Sequence, residues 1–124
     1  VLAFVVTLVM LAFSESRKGG KSVSTHIATQ LINKEDAVLL DIRPKKEFKG
    51  GHIMASVNIP YAELDKRVSE LQKYRERPVI VVCNLGQTSS GAAKKLKDAE
   101  FKNVVRLQGG ITEWKAQNLP VVKK

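Results

Sequence analysis

One stretch constrains this chain more than any other: Val79-Ile80-Val81-Val82-Cys83-Asn84-Leu85-Gly86-Gln87-Thr88-Ser89-Ser90-Gly91. An unbroken apolar run of strand length lacks the alternation of a half-solvated strand and reads as one buried on both faces, as in a parallel sheet. The only cysteine of the chain follows at the strand's carboxyl end. A short polar loop containing Gly86 comes next, and Ser89 and Ser90 open a helical stretch running to about Glu100. In open α/β sheets, ligands bind just beyond the carboxyl ends of the strands. A loop entering a helix there aims several backbone N–H groups at one point and adds the positive end of the helix dipole. Such a position favours the nucleophilic thiolate form of Cys83.

The remaining segments alternate in the same way. Ser22–Ser24 reads as a short first strand, and Ile27, Ala28, Leu31 and Ile32 have the spacing of an amphipathic helix over Thr25–Ile32. His26 stands alone on that helix, is expected to face solvent, and is assigned no chemistry. Ala37–Ile42 is a second buried strand, and Pro44 starts a short helix carrying Glu47 and Phe48. A third strand falls near Ala55–Ile59. Leu64, Val68 and Leu71 predict a helix over Ala62–Leu71, followed by a charged loop from Tyr74 to Pro78. After the Cys83 strand, Ala92, Ala93, Leu96 and Ala99 share one helix face, with three lysines opposite. Val104, Val105 and Leu107 form a last strand, broken by Gly109-Gly110 before a helix over Ile111–Gln117. Strands alternating with helices imply right-handed crossovers and a mostly parallel five-stranded sheet with helices on both faces.

Several side chains admit two readings. Asp41 could be a general acid or base and Arg43 an anion clamp, but an ion-pair and hydrogen-bond network tying strand to helix is preferred. His52 could be a catalytic base, although a lone histidine after Gly50-Gly51 is more often packing or turn chemistry. Trp114 reads as a core aromatic rather than a stacking platform.

Strand, cysteine, loop and helix in this order resemble the active-site loop of the rhodanese (sulfurtransferase) family. The flanks agree. Asp41-Ile42-Arg43, Glu47-Phe48, Gly51-His52-Ile53, Ala55 and Asn58-Ile59-Pro60 look like the family's first signature, and Gly109-Gly110-Ile111, Trp114 and Leu119-Pro120 like its C-terminal one. The resemblance covers roughly residues 22–121 and implies the α/β rhodanese-like fold. It also implies sulfur transfer, with Cys83 attacking a small anionic sulfane-sulfur donor such as thiosulfate and holding the sulfur as a persulfide. Cyanide or a thiol then takes the sulfur away. The terminal sulfur needs a dense set of hydrogen-bond donors. The backbone N–H groups of Asn84, Leu85, Gly86, Gln87, Thr88 and Ser89 can supply them in a nest-like curve. Thr88 occupies a place where members active on thiosulfate often carry an arginine, so a preference for thiosulfate does not follow from the resemblance. Cysteine phosphatases also need an arginine closing the cradle, and none follows Cys83 until Arg106. The alternative to an enzyme is a membrane-tethered interaction or sulfur-carrier module with little turnover.

The chain has 124 residues, enough for one domain with a real core. A single cysteine excludes an intrachain disulfide and a cysteine-cluster metal site, and no nucleotide loop or organic cofactor motif is visible, so no cofactor is expected. With 21 basic and 12 acidic residues the formal charge is +9. The lysines are scattered without interleaved aromatics, which argues against a nucleic-acid surface and for a solvated basic one.

Residues 1–13 carry no charge. As a helix they would extend about 20 Å, at about 1.5 Å per residue, against a hydrocarbon core of about 30 Å. They are expected to be the end of a single N-terminal anchor whose start precedes Val1. The rival reading, a secretory signal, lacks a basic n-region. Arg17, Lys18 and Lys21 then place the domain on the cytoplasmic side of the inner membrane; a cleaved or incomplete segment leaves it cytoplasmic. Residues 14–21 read as a polar linker and 22–122 as the domain, for which a protein partner is also conceivable.

Overall fold

The apolar runs pair into one sheet. In the computed structural model, which describes residues 21–84 and 88–123, the strands are β1 (Lys21–Val23), β2 (Val38–Asp41), β3 (Val57–Asn58), β4 (Val79–Val82) and β5 (Val104–Leu107). Their order across the sheet is β1-β5-β4-β2-β3, and every pairing is parallel. The sheet is therefore wholly rather than mostly parallel. The helices are α1 (Thr25–Glu35), α2 (Lys45–Lys49), α3 (Leu64–Arg67), α4 (Ser89–Asp98) and α5 (Gly110–Ala116). Among the described residues no helix is long and apolar enough to cross a membrane; residues 1–13, read as an anchor, lie outside the described residues.

Every residue of β2 and β4 is buried, which is why neither run alternates with polar residues. Alternate side chains go to opposite layers. Leu40, Val79, Val81 and Cys83 pack with Leu64, Leu71, Ala92, Ala93 and Leu96 on one face. Leu39, Ile80 and Val82 pack with Ala28, Ile53, Ile111 and Trp114 on the other. From β2 the chain passes to β3 on one side, while from β4 it passes to β5 on the opposite side. The two connections leave over different faces, so a crevice opens between the carboxyl ends of β2 and β4, the topological switch point of the sheet.

Local chemistry moves several boundaries. β1 ends at Val23 rather than Ser24, because the Ser24 side chain caps α1 by accepting from Ile27 N–H at 3.2 Å. The strand also begins at Lys21, one residue inside the stretch read as linker. β3 is shorter than expected because Ala55, at φ 67°, is in the left-handed region and cannot extend the pairing. The segment predicted as one helix over Ala62–Leu71 is a 3₁₀ turn (Tyr61–Glu63), the short α3, and a second 3₁₀ stretch (Val68–Tyr74). Val68, Leu71 and Tyr74 recur every third residue, the 3₁₀ period, and all pack on the same core layer. Ile27, counted on the buried face of α1, is 41% exposed, whereas Ala28 is buried.

Candidate active site

Cys83, the residue that follows β4, lies at the switch point. Ile42 N–H donates to the Val82 carbonyl at 2.9 Å, which holds the chain leaving β2 against the chain leaving β4. Between them lies a cleft of about 600 Å³ lined by Ile42, Arg43, Pro44, Glu47, Pro60, Tyr61, Ala62, Cys83, Asn84 and Thr88. Cys83 is only 4% exposed, so its thiol is reached through the cleft and not from the open surface. Of the residues singled out from the sequence, Cys83, Asn84 and Thr88 line the cleft. Ser89 is buried in the first turn of α4. Leu85, Gly86 and Gln87, the middle of the expected nest, lie outside the described residues.

Cys83 and Asn84, where the loop begins, are held from two sides. The first is the start of α5: Ile111 N–H donates to the Cys83 carbonyl at 2.8 Å and Thr112 N–H to the Asn84 carbonyl at 3.1 Å. Those N–H groups open a helix and have no partner inside it; the loop's carbonyls satisfy them. Gly110 makes this approach possible, since it sits at φ +60° and a Cβ there would overlap the carbonyl oxygens of Cys83 and Asn84. The second side is α2, where Glu47 Oε1 accepts from Asn84 Nδ2 at 2.7 Å. The Tyr61 ring packs against α4 instead: its hydroxyl occupies the space a Cβ on Gly91 would take. Lys95 Nζ lies 4.7 Å from that ring's centroid. Its ammonium is held above the ordinary lysine range by a 2.9 Å bond to Asp65.

The charges at the end of β2 are occupied with each other. Asp41 and Arg43 are 1% and 4% exposed and paired at 2.8 Å. Asp41 Oδ1 also accepts from the Arg43 backbone N–H, and Arg43 Nη2 donates to the Gly51 carbonyl at 2.7 Å. Asn58 Nδ2 bonds the Asp41 and Arg43 carbonyls. Arg43 thus lines the cleft with its guanidinium neutralised, and the pair ties β2, β3 and the turn after α2 together. His52 is also structural. Its Nδ1 lies 2.8 Å from the Phe48 carbonyl, which can only accept, so this nitrogen carries the proton. Its ring stacks on Phe48 at 3.8 Å, and its backbone bridges to Val122. Trp114 is a core residue whose Nε1 donates to the Pro120 carbonyl. His26 is exposed, and among the described residues its ring bonds Gln30. Among the described residues no group of three or more His, Cys, Asp or Glu side chains could hold a metal.

Sequence reasoning gave Glu47, Tyr61 and Gly110 no role at this site. Gly109-Gly110 carried a signal, a paired glycine directly after a strand; Glu47 and Tyr61 carried none, because their contacts are made across the fold.

The Rhodanese-like domain family matches residues 24–117. Over 123 residues the chain is 37% identical to the uncharacterised protein YibN of Escherichia coli (strain K12), covering 98% of this chain and 86% of that one. It is 35% identical over 96 residues to the thiosulfate sulfurtransferase GlpE of Pseudoalteromonas translucida, covering 77% of this chain and 90% of that protein. A rhodanese-related protein from Thermoplasma volcanium superposes with a TM-score of 0.76 at 30% identity, over 84% of this chain and 99% of that one.

Proposed function

The chain belongs to the rhodanese-like domain family, and on that premise we propose that it is a sulfurtransferase working through a Cys83 persulfide. The observation that carries this reading is the place of Cys83. It is a cysteine at the carboxyl end of a central parallel strand, lining a cleft at the switch point and followed by the N-terminus of α4. In the first half-reaction the Cys83 thiolate attacks the sulfane sulfur of a donor such as thiosulfate. The new S–S bond forms as the donor's S–S bond breaks, and sulfite leaves with the bonding pair. Cyanide or a thiolate then attacks the outer sulfur, leaves as thiocyanate or a persulfide, and returns Cys83 to its thiolate. The backbone N–H groups from Asn84 to Ser89 are proposed to hold the persulfide anion, without a charged side chain.

A carrier or interaction module with little turnover is the second reading. It is favoured by the absence of an unpaired cation among the described residues lining the cleft, since Arg43 is bonded to Asp41. We further propose that residues 1–13 belong to a membrane anchor with the domain on the cytoplasmic side. Their uncharged composition and the basic residues that follow support this.

Intact-mass spectrometry after incubation with thiosulfate tests the function. A gain of one sulfur atom, reversed by cyanide and absent in Cys83→Ser, is the expected result. Transfer that survives in Cys83→Ser, or no adduct from any sulfane-sulfur donor, overturns it.

A further inference from the structure

The molecule is strongly cationic, with a formal charge of +9, yet the cleft at Cys83 is not. Its one lining cation among the described residues, Arg43, is neutralised by Asp41. Thr88, which also lines it, is uncharged. Glu47 is the remaining charged group among the described lining residues. Among the described residues it has no ion pair, and its carboxylate accepts a single neutral bond, from Asn84 at 2.7 Å. Helix α2 directs its charges unequally: Glu47 lines the cleft, while Lys45 and Lys49, one turn apart on another face, line a separate groove with Arg67. An anion entering the cleft therefore meets an uncompensated carboxylate beside the residue next to Cys83. The other walls, Ile42, Pro60, Tyr61 and Ala62, are largely apolar and suit a hydrocarbon group better than a sulfonate oxygen.

We infer that Glu47 is a specificity determinant that turns the Cys83 cleft away from inorganic dianions and toward organic sulfane-sulfur donors with an apolar body, thiosulfonates and hydropersulfides. The inference rests on the reading of Cys83 as the sulfur carrier. With thiosulfate, a dianion meets a thiolate and sulfite leaves as a dianion. With an alkyl thiosulfonate, a monoanion meets the thiolate, the same S–S bond forms, and an alkyl sulfinate monoanion leaves. A hydropersulfide, R–S–SH, gives up its outer sulfur and the proton on it, and leaves as the thiolate R–S⁻. The carboxylate opposes each of these in proportion to the donor's charge. In solvent-like screening at a separation of several ångströms, each anionic charge costs about a twofold loss of rate.

The experiment compares persulfide formation from thiosulfate and from methanethiosulfonate in the wild type and in Glu47→Gln. This substitution keeps an oxygen to accept from Asn84 and loses only the charge. The wild type is expected to prefer methanethiosulfonate. Glu47→Gln is expected to raise kcat/KM for thiosulfate about fourfold and for methanethiosulfonate about twofold, and added salt is expected to narrow the wild-type preference. A ratio unmoved by Glu47→Gln, or equal losses with both donors, overturns the inference while leaving the persulfide chemistry standing. No persulfide from either donor in the wild type overturns the function and the specificity together.

Discussion

At the carboxyl end of β2, Asp41 and Arg43 bond each other, Arg43 donates to the Gly51 carbonyl, and the backbone carbonyls of both accept from the Asn58 side-chain amide. At the carboxyl end of β4, one strand away, a thiol stands in a loop held by backbone bonds from α5, by a glycine and by the Glu47–Asn84 bond. The first end uses charge for architecture and leaves none over for a ligand. The second presents a thiol, apolar walls and a carboxylate. The lesson is that a charged residue at a switch point is no evidence of a ligand contact until its partners have been counted.

Three substitutions separate the two ends. Asp41→Ala leaves the Arg43 guanidinium buried without its partner and is expected to cost about 3–5 kcal/mol, a large part of a domain's stability. Denaturant unfolding measures it, with Asp41→Asn as a milder companion. Sulfur transfer per folded molecule should fall far less; a larger loss of activity than of stability would make Asp41 part of the chemistry and dissolve the contrast. Gly110→Ala forces a side chain into the left-handed region, at about 1–3 kcal/mol, and drives a methyl into the carbonyls of Cys83 and Asn84. Here the persulfide yield per folded molecule should drop more than it does in Asp41→Ala. An unchanged yield would show that α5 does not position the loop. Thr88→Arg sharpens the comparison by adding to the β4 end the charge it lacks. Thiosulfate turnover should rise a few-fold in steady-state assays, and an unchanged rate would mean that loop charge is not limiting.

The strands were legible because β2 and β4 are buried on both faces and leave no polar residue to blur the run. The place of Cys83 was legible for the same reason, since the apolar run ends on it. The helix after β3 was misjudged: Leu64, Val68 and Leu71 fit an α-helix, and only the inclusion of Tyr74 reveals the three-residue period that the core uses. The preference for a structural Asp41 and Arg43 agrees with their burial and pairing. What the sequence hid is non-local. The Glu47–Asn84 bond joins residues 37 positions apart, and the role of Gly110 depends on a loop brought to it by the crossover from β4 to β5. Such contacts depend on the topology, and no local pattern of residue types encodes them.

The bonds from Ile111 and Thr112 to the Cys83 and Asn84 carbonyls also set a timetable. A ribosome releases the cysteine well before it releases the helix that holds the cysteine's loop in place. Until α5 has been made and has docked, the loop lacks one of its walls, however well β2 and β4 have paired. The cleft is therefore completed only once α5 has been made, and a chain stopped short of Ile111 carries the thiol without this part of the mould around it.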